Sequence, residues 1–197
     1  MKYKLSDIEQ RVYALLDENR SVLEDRVEYG DPETSLRSLI REITPQAACK
    51  VLLSVQASEI DEFQTDIDTS ALRHPDERRA ILPLPPKFLR LLYFRMSDWW
   101  QGVSETLVFG GTEYQLYSRR HEPGYPLYRR NPAVVIGPFF GKRSLEIYNT
   151  GKDATVAEAA YIESPEFDGN RIDLPRGLFD AICQETASMI DAITRHS

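Results

Sequence analysis

Apolar residues recur every three or four positions near the start of the chain: Ile8, Val12, Leu15 and Leu16. This is the period of a helix with one buried face. Ser6 and Glu9 stand three positions apart, the capping-box spacing in which a hydroxyl and a carboxylate satisfy free amides at a helix start. The pattern therefore predicts a first helix from Ser6 to about Asn19.

Two further apolar stripes follow. The first contains Leu36, Leu39, Ile40 and Ile43, and the second contains Ala47, Ala48, Val51, Leu52 and Val55. Thr44 and Pro45 separate them; threonine is a favourable helix cap and proline is tolerated in a first helical turn. We therefore predict that one helix ends and another begins at Thr44-Pro45.

Residues 59–79 are mostly polar and charged. We interpret them as a polar connector with a solvated acidic surface. The alternative, a Ca²⁺ site, lacks the regular ligand spacing and central glycine of an EF-hand loop.

From residue 81 the pattern changes to short apolar runs separated by glycine and proline, which is typical of strands. Strands are predicted at 89–96, 106–109, 114–118, 133–136 and 144–148, with one more at 159–163. Residues 138–143 are predicted to form a hairpin loop.

The chain closes with an amphipathic helical pattern after Pro175: Leu178, Phe179, Ile182, Thr186, Met189, Ile190 and Ile193. The predicted fold class is α+β, with N-terminal helices, a central antiparallel β region and a C-terminal amphipathic helix. We expect a helical part over 1–80, a β region over 81–170 and a closing helix over 171–197. This helix packs back on the helical part to make a single compact unit.

Charge is distributed unevenly along the 197 residues. The net charge is −7, with −6 over 1–80, +4 over 81–150 and −5 over 151–197. Overall acidity opposes non-specific binding to nucleic acid. A basic middle between acidic ends suits pairing with copies of the chain or with a charged partner. The alternative is a positive β region lying against negative helices within one domain.

The composition also restricts the cellular compartment and the class of protein that we expect. No apolar run approaches 18 residues, and the start lacks the apolar stretch of a signal peptide, so we expect no membrane span and no secretion. Cys49 and Cys183 are too few for a disulfide framework or a structural zinc site. We expect a protein that is intracellular or assembled inside a cell.

Catalytic motifs are absent from the sequence. The three histidines are His74, His121 and His196, and no nucleophile elbow, zinc-protease helix or phosphate-binding glycine loop accompanies them. We predict no catalytic, cofactor-binding or metal-binding residues, and hence no enzyme. An acid–base pair of carboxylates that only the fold brings together stays open.

The segment 119–130 has the most unusual composition, since arginines flank tyrosines and prolines. Such residues stack on bases, anchor protein interfaces or simply line a solvated loop. Trp99 and Trp100 follow a predicted strand, where adjacent side chains point to opposite faces. One tryptophan can then lie in the core while the other meets another surface; the alternative is that both pack in the core.

Several short stretches of sequence, taken together, resemble those of a known family. The most distinctive are Leu82-Pro83-Leu84-Pro85-Pro86-Lys87-Phe88-Leu89-Arg90-Leu91 and the following Met96-Ser97-Asp98-Trp99; Asn131-Pro132 before an apolar strand and Leu145-Glu146-Ile147-Tyr148 support them. Over roughly residues 12–193 the chain resembles virion proteins of crAss-like phages and related Bacteroidales prophages that form rings beneath the portal. It is similar, more loosely, to the head-to-tail adaptors of other short-tailed phages.

The resemblance implies a structural protein of the virion, located at the portal vertex and assembled in the bacterial cytoplasm. It implies a closed homo-oligomeric ring, a dodecamer matching the portal, in contact with the portal and with other connector or tail rings. DNA would pass through the channel without sequence-specific binding, and no membrane would be involved.

Composition, rather than any family motif, selects the candidate interface residues: Trp99, Trp100, Tyr125, Tyr128, Arg129 and Arg130. Two alternatives to a connector ring stay open. One is a small soluble bacterial binding module of unknown ligand, and the other is an enzyme with an unrecognised acid–base pair.

Overall fold

The computed structural model describes residues 1–20, 32–60, 64–118, 131–139 and 141–195. The helices are α1 (Leu5–Arg20), α2 (Pro32–Ser54), α3 (Thr112–Ser118) and α4 (Phe179–Arg195). The strands are β1 (Lys2–Lys4), β2 (Thr65–Asp66), β3 (Arg73–Asp76), β4 (Arg79–Pro83), β5 (Phe88–Met96), β6 (Ala133–Phe139), β7 (Lys142–Tyr148), β8 (Val156–Glu163), β9 (Phe167–Asp168) and β10 (Arg171–Asp173). Ala57–Glu59 and Arg176–Leu178 form 3₁₀ turns.

The chain divides into two compact units. A helical unit comprises 1–63 and 164–197, and a β unit comprises 64–163. This division differs from the predicted single unit with boundaries at 80 and 170. Residues 64–80 belong to the β unit because β2 pairs with β8 and β3 pairs with β4. Residues 164–170 belong to the helical unit because β9 pairs with β10.

The helical unit is built on α4, which packs against both α1 and α2. Its buried side chains come from all three helices, and those at predicted stripe positions include Ile8, Val12, Ile40, Ala47, Ala48, Leu52, Ile182 and Ile190. Cys183 and Ala187 are also buried, although the predicted stripe of α4 did not include them. A small antiparallel sheet of order β1-β10-β9 adjoins them. The rings of Tyr3 on β1 and Phe179 on α4 stack with centroids 4.4 Å apart.

Helix α2 runs through Pro45, so the predicted break at Thr44-Pro45 is wrong. The buried residues on either side of the proline lie at helical spacing: Ile40, Ile43, Thr44, Ala47 and Ala48. Thr44 does not cap a new helix; its hydroxyl donates to the Ile40 carbonyl at 2.7 Å. A proline inside a helix costs about 3 kcal/mol, and continuous packing of this face against α4 outweighs that cost.

The β unit contains two antiparallel sheets in its described part, of order β2-β8-β5 and β3-β4-β7-β6. One face of each contributes to a shared core of buried residues that includes Leu82, Phe88, Phe94, Met96, Trp99, Val134, Leu145, Ile147 and Tyr161. In the four-stranded sheet Leu82 pairs with Leu145, and Leu145 pairs with Ile136. The alternating pattern thus directs these side chains to the inner face.

The α+β class is confirmed: four helices and three antiparallel sheets lie in the described residues. Two further local predictions are wrong. Residues 114–118 lie in α3 because Tyr114 and Tyr117, three positions apart, both cover the outer face of the four-stranded sheet. Residues 106–109 form no strand, and Leu107 makes only one bridge to Val135. The predicted polar connector contains β2, β3 and the first residue of β4.

Candidate functional site

The two tryptophans of the β unit have opposite environments. Trp99 is only 5% exposed; its indole N–H donates to the Asn149 carbonyl at 2.9 Å, and its ring meets Phe94 edge-on at 5.9 Å. Trp100 is 81% exposed. Of this pair, Trp100 therefore offers the surface that a partner could cover, whereas Trp99 stabilises the core of its own unit.

The other four candidate interface residues, Tyr125, Tyr128, Arg129 and Arg130, lie outside the described residues. The structure does describe the residues on either side of this segment. Helix α3 ends at Ser118, and the chain is described again from Asn131, just before β6. The Asn149 side-chain amide donates to the Asn131 carbonyl at 2.7 Å, which ties this point to the end of β7.

An apolar surface that the sequence did not predict surrounds α3. Val108 is 77% exposed, Phe109 46% and Leu116 36%. The Phe109 ring lies 5.0 Å from that of Tyr114 and 5.6 Å from that of Phe139. It fits there because Gly137 of β6 has no side chain: a Cβ at this position would come within 2.6 Å of the Phe109 ring. The only signal in the sequence was the apolar run at 106–109, which we had predicted to be a strand.

A buried carboxylate lies beneath this surface. Glu146 of β7 is 2% exposed, and its Oε1 accepts a hydrogen bond from Arg79 of β4 at 2.8 Å. Arg79 also lies 2.9 Å from Asp76 of β3, measured from Nε to Oδ2. These contacts link β3, β4 and β7 on the outer face of the sheet. A charged residue inside the apolar run Leu-Glu-Ile-Tyr was the signal available in the sequence.

Two tyrosines complete this buried polar group. Burial, together with the negative charge of nearby Glu146, raises the pKa of Tyr148 far above its ordinary value. Burial also raises the pKa of Tyr114, and the negative charge of Glu146 adds to that effect. Both phenols therefore stay protonated. The buried polar group is placed to hold α3 against the sheet.

An open groove of about 750 Å³ lies on the three-stranded sheet of the β unit. Ala157 and Ala160 of β8 line it with small side chains, and Tyr93 of β5 adds an aromatic ring. Asp66 and Glu158 supply negative charge; Glu158 Oε1 accepts a hydrogen bond from Arg95 at 2.5 Å. No sequence motif marks this groove, because strand pairing between β2, β5 and β8 assembles it.

The candidate nucleophiles and metal ligands occupy ordinary positions. His74 Nε2 lies 3.0 Å from the Ala154 carbonyl. Burial raises the pKa of the Cys49 thiol and raises that of Cys183 to about 12. Among the described residues, no group of three or more His, Cys, Asp or Glu side chains could hold a metal ion. In that same part of the chain, every helix is too short or too polar to span a membrane.

The comparisons with known proteins give no family. The chain matches no protein-family model, and a search of the curated proteins found no match.

Proposed function

We propose that the chain is a structural protein of a phage virion that assembles with copies of itself into a ring of the head-to-tail connector. The observation that carries the self-assembly is the exposure of large apolar side chains in the β unit, above all Trp100 at 81% exposure. The phage setting rests on the sequence resemblance. In that setting the ring surrounds the DNA channel beneath the portal.

The exposed side chains are the kind that interfaces bury. Tryptophan is enriched among the residues that dominate binding energy. Covering an indole removes about 200 Å² from water, and after the cost of ordering the side chain at the interface the net contribution is roughly 3 kcal/mol. Val108 and Phe109 add further apolar surface in the same unit. A partner that covers these side chains is therefore favoured over solvent.

Charge supports a head-to-tail arrangement. The helical unit has 11 basic and 19 acidic side chains, whereas the β unit has 13 basic and 12 acidic. Within the β unit, the residues of 81–150 have a net charge of +4. Closed rings require two unlike surfaces on each subunit, and within the β unit the contrast between the net charge of +4 over 81–150 and the net charge of −3 over the rest of that unit supplies them. The overall net charge of −7 suits transient passage of DNA over tight binding.

Native mass spectrometry of the purified chain tests the assembly. We expect a closed oligomer for the wild type and a shift towards monomer for Trp100→Ser, with an apparent dissociation constant about 100-fold higher. Leu53→Ser is the matched control, since Leu53 is 53% exposed but lies on α2 of the helical unit. It should assemble like the wild type.

A wild type that stays monomeric at high concentration would contradict the ring and favour the soluble binding module. Quantitative mass spectrometry of virus particles tests the phage setting separately. A copy number equal to that of the portal, or a small multiple of it, is expected; absence of the chain from the particles would remove the connector.

A further inference from the structure

The groove of the β unit lies beside an incompletely paired strand. β2 pairs with β8 only at Tyr161 and Ala160, and one more hydrogen bond joins the Ile67 amide to the Ala159 carbonyl at 3.4 Å. On that side, the first part of β8, residues 156–158, has no neighbouring strand among the described residues. An exposed strand edge of this kind accepts an extended segment.

The floor and wall of the groove suit aromatic and long side chains. Ala160 pairs with Tyr93 and lies on the same face of the sheet, so its small side chain leaves room beside that ring, which forms one wall; Ala159 packs against the core instead. Gly102 sets the position of this ring, because a Cβ there would come within 2.2 Å of Tyr93 Cζ. The wall is therefore backed by main chain and held in place.

The charge of the groove is negative. Asp66 is exposed and has no ion-pair partner in the described part of the chain. The Glu158 side chain is 53% exposed and already paired with Arg95, so it offers its remaining acceptor capacity to solvent. A segment with arginines would find two carboxylates here.

We propose that residues 119–130 of a second copy of this chain occupy the groove. This segment contains Arg119, Arg120, Arg129 and Arg130 but only one acidic residue, Glu122, so its charge complements the groove. Its tyrosines, Tyr125 and Tyr128, match the alanine floor and the ring of Tyr93. A segment of twelve residues can reach up to about 40 Å.

The inference rests on the proposed self-assembly and names its two mating surfaces. The groove and the segment are different parts of each subunit, so their contact is head-to-tail and can close a ring. It accounts for the arginines and tyrosines of the segment and for the open edge of β8 by one contact.

Charge reversal on each side, followed by mixing, tests the contact. Groove variant Asp66→Lys with Glu158→Lys and segment variant Arg129→Glu with Arg130→Glu should each raise the apparent dissociation constant by about 100-fold or more, because like charges face one another. An equimolar mixture should assemble again into an alternating oligomer, since each altered surface then meets a complementary one. Native mass spectrometry distinguishes the alternating species by mass.

The control is Glu105→Lys with Asp153→Lys, which makes the same charge change at two exposed residues of the β unit away from the groove. It should assemble like the wild type. Circular dichroism of every variant checks that the fold is retained.

The outcomes separate the two proposals. A monomeric wild type contradicts self-assembly and this contact together. A groove variant that assembles normally, while Trp100→Ser does not, overturns the contact and leaves the ring standing. A mixture that stays dissociated also overturns it, as does a segment that occupies its own groove, because mixing could not then restore assembly.

Discussion

The helical unit and the β unit differ in where their ion pairs lie and in which apolar side chains they expose. In the helical unit, ion pairs join helix surfaces: Arg11 with Asp180 at 2.9 Å, Arg37 with Glu9 at 2.8 Å, and Lys50 with Glu185. In the β unit, Arg79 reaches the buried Glu146, while Trp100 and Val108 face solvent. The helical unit thus forms its ion pairs between helix surfaces, whereas the β unit buries the carboxylate of an ion pair and carries the two most exposed large apolar side chains among the described residues. This difference is why we place the interaction surfaces in the β unit.

Each unit has its own natural reporter. Both tryptophans, Trp99 and Trp100, lie in the β unit, and both cysteines, Cys49 and Cys183, lie in the helical unit. Fluorescence therefore follows unfolding of the β unit, and labelling of Cys183 follows unfolding of the helical unit. Since burial raises the pKa of Cys183 to about 12, its thiol should not react at pH 8 until the helices open.

The largest effect is expected from Phe94→Ala, which empties part of the β-unit core. Phe94 is fully buried, and such a substitution costs about 3–5 kcal/mol. The urea midpoint of the fluorescence transition should decrease, while the urea midpoint of Cys183 labelling should stay unchanged. Ile40→Ala in α2 is the converse control and should lower only the urea midpoint of Cys183 labelling. If both signals shift together in either variant, the two units unfold as one and the comparison fails.

A smaller loss is expected when one partner of the buried ion pair is removed. Arg79→Met leaves Glu146 buried without its cation, which costs about 3 kcal/mol in the free energy of unfolding of the β unit. Arg11→Met removes an exposed pair of the helical unit and should cost less than about 1 kcal/mol. Urea unfolding followed by the two reporters measures both values. Equal losses would show that Glu146 is solvated as well as the surface carboxylates are.

The smallest effects come from two prolines and have opposite signs. Pro45→Ala restores a backbone donor inside α2 and should stabilise the helical unit by about 1–2 kcal/mol, less than the full cost of a helix proline because the unfolded chain gains freedom. Pro86 lies at the second position of a turn closed by the Phe88 amide and the Pro85 carbonyl at 3.0 Å. Proline is favoured there, so Pro86→Ala should destabilise the β unit by about 0.5 kcal/mol.

The midpoints of Cys183 labelling and of fluorescence measure these two changes. Destabilisation by Pro45→Ala would mean that Pro45 contributes packing that outweighs its missing hydrogen bond.

Helices α1 and α4, the long strands β5 to β8 and the α+β class could be predicted from the period of apolar residues, because each element buries one face along most of its length. The apolar stripe of α2 also follows the period of a helix with one buried face. Ile40, Ile43, Ala47 and Ala48 continue in phase across Pro45, and giving more weight to this phase than to the proline would have predicted one helix. Helix α3 could not be found in this way, since its seven residues are too few to show a period.

By itself, the sequence determined which stretches form amphipathic elements, where charge accumulates, and that Arg and Tyr concentrate in 119–130, because these are properties of neighbouring residues. Only the tertiary structure decided that Trp99 is buried and Trp100 exposed, that Glu146 meets Arg79, and that Asp66, Tyr93 and Glu158 line one groove. These contacts join residues far apart in the chain, so strand pairing and burial decide them, and no local pattern records the pairing.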